Sequence, residues 1–235
     1  MGRLQLLCGE LDLASSLEDK PVLAFLFKYL LARSVAGEPQ ALRSAVAEEL
    51  SPGLPDSNQR ERLRKQLYDM QRDTNPDVGS LVLANRSHVW FALDKADSDA
   101  GRLAALSAAV RKRASLISAE EADEIRHTLE DSDQEFVSGF EELEQKVNQG
   151  RGTASDVVAR ARNLIADQRV ELISALAEYQ DAIGRPEAAI GHLRAGLDAM
   201  PERQDLARLL VVAYLKTGQT ARAGEVRRQF ALKQE

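Results

Sequence analysis

Cysteine, aromatic residues and long apolar runs are scarce in this chain, and each scarcity excludes a class of protein. Cys8 is the single cysteine among 235 residues, so no internal disulfide can form, and a buried thiol is its expected role. The longest apolar run, residues 22–31, is interrupted by Lys28 and is too short to span a bilayer. The N-terminus lacks the small-residue cleavage site of a secretory signal. These features favour a cytoplasmic protein with no membrane segment in this chain.

Groups suited to enzyme chemistry are also missing. The three histidines, His88, His127 and His192, fall on separate predicted elements. None of them joins a His, Cys or Asp cluster with the spacing of a metal site. No nucleophile motif and no glycine-rich phosphate loop occurs in the sequence. We therefore expect no enzyme activity, no metal and no cofactor.

The composition that remains predicts a helical protein of two parts. Hydrophobic residues make up 44% and charged residues 29%, and alanine, leucine and arginine are abundant. The net charge is −6, yet residues 1–95 carry 12 Lys and Arg against 13 Asp and Glu, so the acidity lies mainly in the second half. This balance argues against a protein that coats nucleic acid without sequence preference, and it permits a basic patch on one face. A polar stretch, DKADSD at residues 94–99, predicts a division into residues 1–95 and residues 96–235.

The most basic short segment is residues 56–72, DSNQRERLRKQLYDMQR. Asp56 and Gln59 fit a capping box at the start of a helix, and Leu63, Leu67 and Met70 form one apolar stripe along it. At about 100° per residue, the basic residues fall opposite the stripe or on its flank: Arg62, Lys65 and Arg72 opposite, Arg60 and Arg64 on the flank. An anchored helix that presents guanidinium groups is what reading the major groove requires, although a solvated surface helix has the same pattern.

Two helices and a short hairpin are predicted before the basic helix. Residues 3–13 hold two apolar runs around a Gly-Glu pair and predict the hairpin. Residues 21–36 predict the first helix, with a proline at its start. The second helix is expected to begin around Glu38-Pro39 and to carry Leu42, Val46 and Leu50 inward.

A second hairpin is predicted after the basic helix. Residues 81–83 and 89–91 have the composition of strands, and Asn85 suits the turn between them. We predict a wing over residues 81–93 with Arg86 at its tip, placed for a phosphate or minor-groove contact. A solvated turn residue is an equally weighted interpretation of Arg86.

The second half of the chain has helical patterns throughout, at residues 102–117, 119–131 and 136–147 and from residue 153 onward. One constant separation, about 34 residues, relates Gly184 to Gly218, Ala189 to Ala223 and Leu176 to Leu210. This period, with small residues where helices cross, is typical of tetratricopeptide repeats. Because about three units are needed to bury a continuous core, residues 134–168 are expected to supply a further, degenerate unit.

The order of these elements resembles that of a known bacterial family. The segments PVLAFLFKYLLARS, NQRERLRKQLYDMQR and LVLANRSHVWFAL resemble the winged helix of response regulators, and more closely the N-terminal half of the Streptomyces antibiotic regulatory protein family. In that family a tetratricopeptide-like bacterial transcriptional activator domain follows. The resemblance implies a transcription regulator that binds tandem promoter repeats as a side-by-side dimer. Its helical repeats would serve dimerisation, signal input or contact with RNA polymerase.

The predicted fold is mainly α, with an N-terminal winged helix-turn-helix carrying small β-sheets and C-terminal tetratricopeptide-like helical repeats. The leading hypothesis is a sequence-specific regulator that binds double-stranded DNA, as a homodimer at least on DNA. The DNA contacts would come from the recognition helix and the wing: Arg60, Arg62, Arg64, Lys65, Arg72 and Arg86. Two alternatives stay open. One is an adaptor that has lost DNA binding and binds a protein in its repeat groove, and the other is the effector part of a longer sensor.

Overall fold

The computed structural model describes residues 6–8, 11–12, 17, 19–73, 76–95, 97–131, 136–137 and 139–232. Within these residues the chain is mainly helical, which confirms the predicted fold class. The helices are α1 (Pro21–Val35), α2 (Arg43–Leu50), α3 (Asp56–Asp73), α4 (Pro76–Leu81), α5 (Asp99–Arg111), α6 (Ala119–Asp131), α7 (Phe140–Asn148), α8 (Ala154–Ala182), α9 (Pro186–Ala199), α10 (Gln204–Lys216) and α11 (Thr220–Gln229). The strands are β1 (Leu6–Cys8), β2 (Leu11–Asp12), β3 (Gln40–Leu42), β4 (Val82–Ala84), β5 (His88–Phe91) and β6 (Asp97–Ser98).

The chain divides into two compact units, each built from two segments. The first unit comprises Met1–Arg102 and Gln134–Leu164, and the second comprises Leu103–Asp133 and Ile165–Glu235. The predicted division between residues 95 and 96 lies close to the first of these boundaries and stays a prediction.

Most of residues 134–168 belong to the first unit, and their role as a further, degenerate repeat unit stays a prediction. Helix α7 begins at Phe140 and not at residue 136, and the Phe140 ring stacks on the Phe25 ring of α1 with 5.2 Å between centroids. Both rings are fully buried. Of the apolar stripe Phe140, Leu143 and Val147 that the sequence predicts, Phe140 is buried and the other two are partly exposed, whereas Glu144 and Asn148 are the other buried residues of α7.

Helix α1 forms the centre of the first unit. Proline occupies its first turn, where the missing N–H costs nothing. Its C-terminus closes on Gly37, which has a φ of +81°, and the N–H of Glu38 donates to the Arg33 carbonyl at 2.9 Å. This pair of features is a Schellman motif, which satisfies carbonyls that the helix end would leave unpaired. The prediction of a buried first helix is confirmed.

The second helix begins later than predicted. Gln40–Leu42 is strand β3, which pairs antiparallel with β5 so that Ala41 lies opposite Val89. Leu42 is 53% exposed, so the prediction that it turns inward is wrong. Pairing with β5 satisfies backbone groups along that strand, and such a tertiary requirement overrides the local helical pattern.

The second hairpin lies in a three-stranded antiparallel sheet of order β3-β5-β4. Val89 and Phe91 of β5 are buried, and the residues that alternate with them are partly exposed. Strand β4 begins at Val82, one residue later than predicted, because Leu81 ends the unpredicted helix α4.

The N-terminal hairpin is present as β1 paired antiparallel with β2. Its Gly-Glu turn at residues 9–10 and the side chain of Cys8 lie outside the described residues. The stretch predicted as a polar linker instead supplies a 3₁₀ helix, Leu93–Lys95, and strand β6, which pairs with β1. Short polar strands of this kind carry little local pattern, so only their pairing identifies them.

Helix α5 ends at Arg111, well before the predicted end at residue 117, and α6 covers 119–131 as predicted. The Glu121 N–H donates to the Ser118 hydroxyl at 3.3 Å, and the Ser118 N–H donates to the Glu121 carboxylate at 2.8 Å. This reciprocal capping box requires a non-helical Ser118. Ile117, just before it, is buried and packs in one cluster with Ala122 of α6, which fixes where the chain enters that helix.

The predicted repeat appears as two helix pairs, α8 with α9 and α10 with α11. Helices α8 and α10 end at Ala182 and Lys216, and α9 and α11 begin at Pro186 and Thr220, so both pairs recur after about 34 residues. Gly184 and Gly218 follow the two helix ends with φ of +76° and +73°, which a glycine adopts without strain. The predicted repeat is therefore confirmed for these two pairs.

Candidate nucleic-acid interface

Helix α3 is held by one face and by a polar contact at its start. Leu63, Leu67 and Met70 are buried as the stripe predicts. Gln59 is also buried, and its amide donates to the Ser51 carbonyl at 3.2 Å and to the Glu48 carboxylate. These bonds run to the end of α2, so the Gln59 side chain fixes α3 against α2 and does not close the predicted capping box with Asp56. These two hydrogen bonds satisfy the Gln59 amide, as a buried polar side chain requires.

One flank of the apolar stripe of α3 borders a groove of about 760 Å³. The groove lies between α3, the first residues of α2 and the tip of the β4–β5 hairpin. Three of the six arginine and lysine residues predicted to contact DNA line it: Arg60 and Arg64 from α3, and Arg86 from the hairpin tip. All three side chains are exposed.

The other three predicted residues are not among the described residues that line this groove. Arg62 is half-buried, and its guanidinium donates to the Ser51 hydroxyl at 3.0 Å, on the side facing the α2–α3 turn. Lys65 is exposed on another face of α3. The guanidinium of Arg72 lies 5.1 Å from the ring centroid of Tyr68, within the range of a cation–π contact.

The tip of the hairpin is a built turn. The Asn85 side-chain oxygen accepts the N–H groups of Ser87 at 2.9 Å and His88 at 2.7 Å, as asparagine does in Asx turns. Arg86 lies between these residues and is therefore presented on a fixed backbone. The structure accordingly gives Arg86 a defined position and leaves its contact with DNA a prediction.

Arg43 is a further residue of this site that the sequence reasoning missed. Its backbone N–H donates to the Ser87 carbonyl at 2.9 Å, and its guanidinium donates to the Asn85 carbonyl at 3.0 Å. Arg43 thus ties the first turn of α2 to the hairpin tip and also lines the groove. In a helix that begins around Glu38-Pro39, as the sequence predicts, Arg43 would be an ordinary helical residue. Assigning residues 40–42 to a strand would have placed Arg43 beside the hairpin tip.

The charge of the groove is positive. Four arginines line it, and Glu61 is the acidic side chain among the described residues that do so. Arg60 forms an ion pair with Asp56 at 3.2 Å, but both side chains are largely exposed, so solvent screens the pair and an incoming anion can compete for the guanidinium. Ser44, Ser57 and Ser87 also line the groove. This set of donors suits a phosphate backbone.

Other ligand types find less support in the described part of the chain. No group of three or more His, Cys, Asp or Glu side chains there could hold a metal ion. No helix among the described residues is long and apolar enough to cross a membrane.

The fold defines this chain as a mainly helical protein in which two helix pairs repeat with the tetratricopeptide period. The family model of the bacterial transcriptional activator domain matches residues 98–233, more than half of the chain, and the chain belongs to this family of transcriptional activators. Comparison with curated proteins and with solved structures found no match. The match confirms the activator-domain part of the resemblance stated from the sequence. The arginine-lined groove lies before residue 98, outside the matched segment.

Proposed function

We propose that this chain is a transcription regulator that binds double-stranded DNA sequence-specifically, with α3 in the major groove and the β4–β5 hairpin as the wing. The observation that carries the proposal is the groove in which Arg43, Arg60, Arg64 and Arg86 converge from three separate elements. Membership in the transcriptional activator family supports the same function.

The geometry of α3 suits this role. A helix can enter the major groove when one face is anchored and the exposed face carries base-reading side chains. Leu63 and Met70 anchor α3, while Arg60 and Arg64, four residues apart, lie side by side on its exposed face. Their guanidinium groups present the paired donors that recognise a guanine edge.

The six predicted residues divide into different proposed roles. Arg60 and Arg64 face the bases, and Arg86 contacts a phosphate or the minor groove beside them. Arg43 joins this set as a phosphate contact that also supports the wing. Lys65 and Arg72 contribute phosphate contacts at the edge of the interface. Arg62 acts mainly by holding the α2–α3 turn through Ser51.

The test is selection of bound sequences from a pool of random duplexes, followed by mobility shifts at several salt concentrations. We expect the wild type to enrich a sequence that contains repeats, as a dimer on tandem sites would. Arg64→Ala should lower affinity by about 1–3 kcal/mol and relax preference at one base position. Arg86→Ala should weaken binding evenly across sequences and reduce the salt slope by about 0.9 if it loses one phosphate contact.

The matched control is Arg208→Ala, which removes an exposed arginine from α10 in the second unit. It should leave affinity, sequence preference and salt slope unchanged. Equal behaviour of the Arg64 and Arg208 variants would show that the interface lies elsewhere. Absence of wild-type binding at low salt would refute the DNA-binding function itself.

A second candidate function, binding of a protein partner by the helical repeats, is favoured by one observation. Leu209 and Val212 on α10 are 36% and 50% exposed, and they border an apolar groove together with Ala177 and Leu193. Exposed apolar side chains grouped in a groove are typical of protein-binding surfaces. In a regulator this surface would serve dimerisation or contact with RNA polymerase, and in an adaptor it would be the main site. A chain that fails to bind DNA at low salt would favour the adaptor.

A further inference from the structure

The turn between α7 and α8 is bonded to the end of α2 through Glu49. The Glu49 carboxylate accepts the Thr153 N–H at 2.8 Å and the Thr153 hydroxyl at 2.5 Å. The Asn148 amide, which is buried, donates to the Glu49 backbone carbonyl at 2.8 Å. Glu49 therefore bonds to the turn through both its side chain and its backbone.

The position of this carboxylate is electrostatically favourable. Thr153 immediately precedes α8, a helix of 29 residues, and the N-terminal end of a helix carries partial positive charge and unpaired N–H groups. A carboxylate from another element thus caps α8. The charge-assisted bonds it accepts are stronger than bonds between neutral groups.

Gly152 allows the close approach of the turn to Glu49. A Cβ atom at this position would overlap the Glu49 Oε2 atom and would lie 2.8 Å from the Asn148 amide nitrogen. The backbone of Gly152 does not have the positive φ that disfavours other residues, so the effect of a Cβ here would be to displace the Glu49 carboxylate and the Asn148 amide from the positions in which they bond.

The same end of α2 contacts α3 on its other side. Glu48 and Ser51 accept the Gln59 amide, and the Ser51 hydroxyl accepts Arg62. Residues 48–51 therefore bond both to the α7–α8 turn, through Glu49, and to the start of α3. The turn lies within the segment that matches the activator-domain family, and it belongs to the first compact unit.

We propose that Glu49 is a positioning residue for DNA binding: through it, the α7–α8 turn of the activator-domain segment sets the orientation of α3. This inference rests on the proposed function, because it concerns the helix that would read DNA. It goes further, because it assigns a role in DNA affinity to residues 148–153, which do not belong to the elements that carry the groove arginines. A change in this turn would alter affinity without changing any DNA contact.

The test uses the full chain with Gly152→Ala, Glu49→Ala and Glu49→Gln. Gly191→Ala is the matched control, because a Cβ at Gly191 meets nothing within 4 Å. Hydrogen exchange is followed in peptides that cover residues 48–62 and, for comparison, α10. Mobility shifts over a range of salt use the duplex recovered by selection.

We expect Gly152→Ala and Glu49→Ala to speed exchange in residues 48–62 by about tenfold, as loss of hydrogen bonds to a charged group implies, with α10 unchanged. DNA affinity should fall about tenfold at an unchanged salt slope, because the phosphate contacts remain while the orientation of α3 is no longer fixed. Glu49→Gln should recover most of both losses, since its amide oxygen still accepts hydrogen bonds from Thr153.

Two results would overturn the proposal. One is an exchange rate in residues 48–62 that is the same in the Gly152 and Gly191 variants. The other is faster exchange there with DNA affinity equal to that of the wild type. If the wild type binds no duplex, the proposed function fails by that measurement, and exchange in residues 48–62 still decides whether Glu49 positions α3.

Discussion

Replacing Gly196 with alanine should have two opposing effects on stability, a gain in helix propensity and a loss from overpacking where helices cross. Gly196 is buried in α9, and a Cβ atom there would lie 2.7 Å from the Ile173 Cδ1 atom of α8 and 3.3 Å from its Cγ2 atom. A third contact, to Leu206 Cδ1 of α10, would also be 3.3 Å. The glycine therefore allows α9 to approach its neighbours closely, as helix crossings in such repeats require.

The size of the effect follows from two terms. Alanine in place of glycine in a helix interior stabilises by about 1 kcal/mol. Overpacking a buried site costs about 1–3 kcal/mol. Because Ile173 is itself buried and its branched Cγ2 atom cannot move independently of Cβ, we expect the second term to dominate. Gly196→Ala should lower the free energy of unfolding by up to about 2 kcal/mol.

Gly191→Ala gives the matched comparison on the same helix. Gly191 is exposed, and a Cβ there meets nothing within 4 Å, so only the favourable term applies. This variant should gain about 0.5–1 kcal/mol. Urea unfolding followed by circular dichroism would measure both variants, with the helical signal reporting on the repeat.

Ile173→Val provides a double-mutant test of the cause. It removes the Cδ1 atom that a Cβ at position 196 would approach most closely. In the Gly196→Ala background it should cost less than alone, with a coupling energy of about 1 kcal/mol. The reasoning is refuted if Gly196→Ala stabilises as much as Gly191→Ala, because α8 and α9 would then have room that the structure does not contain.

Two further predictions concern the hairpin tip and a half-buried histidine. Asn85→Ala removes the acceptor for two backbone N–H groups and should lower the free energy of unfolding by about 1 kcal/mol. Urea unfolding followed by the fluorescence of Trp90, the single tryptophan, would measure this loss, and an unchanged midpoint would contradict the turn assignment. Burial, and after it the charge of Arg126, lowers the pKa of His192 below its ordinary 6.5, so the folded protein binds this proton more weakly than the unfolded chain does. Stability should therefore fall as pH drops through 6.5, and an NMR titration midpoint of His192 at or above 6.5 would contradict this.

Local patterns were sufficient for much of the fold. The apolar stripe of α3 predicted Leu63, Leu67 and Met70 as its buried residues, and all three are buried. The tetratricopeptide-like period predicted the repeat seen in α8–α9 and α10–α11, because the same small residues recur wherever helices cross or end. Periodicity of this kind is a property of one element and needs no knowledge of its neighbours.

Local patterns failed where a distant partner decided the outcome. The helical pattern through Leu42 gave way to strand β3 because β5, which follows only after α2, α3 and α4, pairs with it. The division of the arginines on α3 depends on where Ser51 lies, since Arg62 donates to it while Arg60 and Arg64 border the groove. Neither the strand at residues 40–42 nor the different roles of the arginines on α3 can be predicted without the position of a second element.

The sequence by itself determined that this protein is mainly helical, that its second half contains a tetratricopeptide-like repeat, and that one basic helix is anchored by an apolar stripe. Only the tertiary structure decided that Arg43 and Arg86 join Arg60 and Arg64, and that residues 134–164 pack in the first unit. The physical reason is the range of the forces involved. Helix period and caps depend on residues a few positions apart, whereas strand pairing and the convergence of charges depend on residues that only the folded chain brings together.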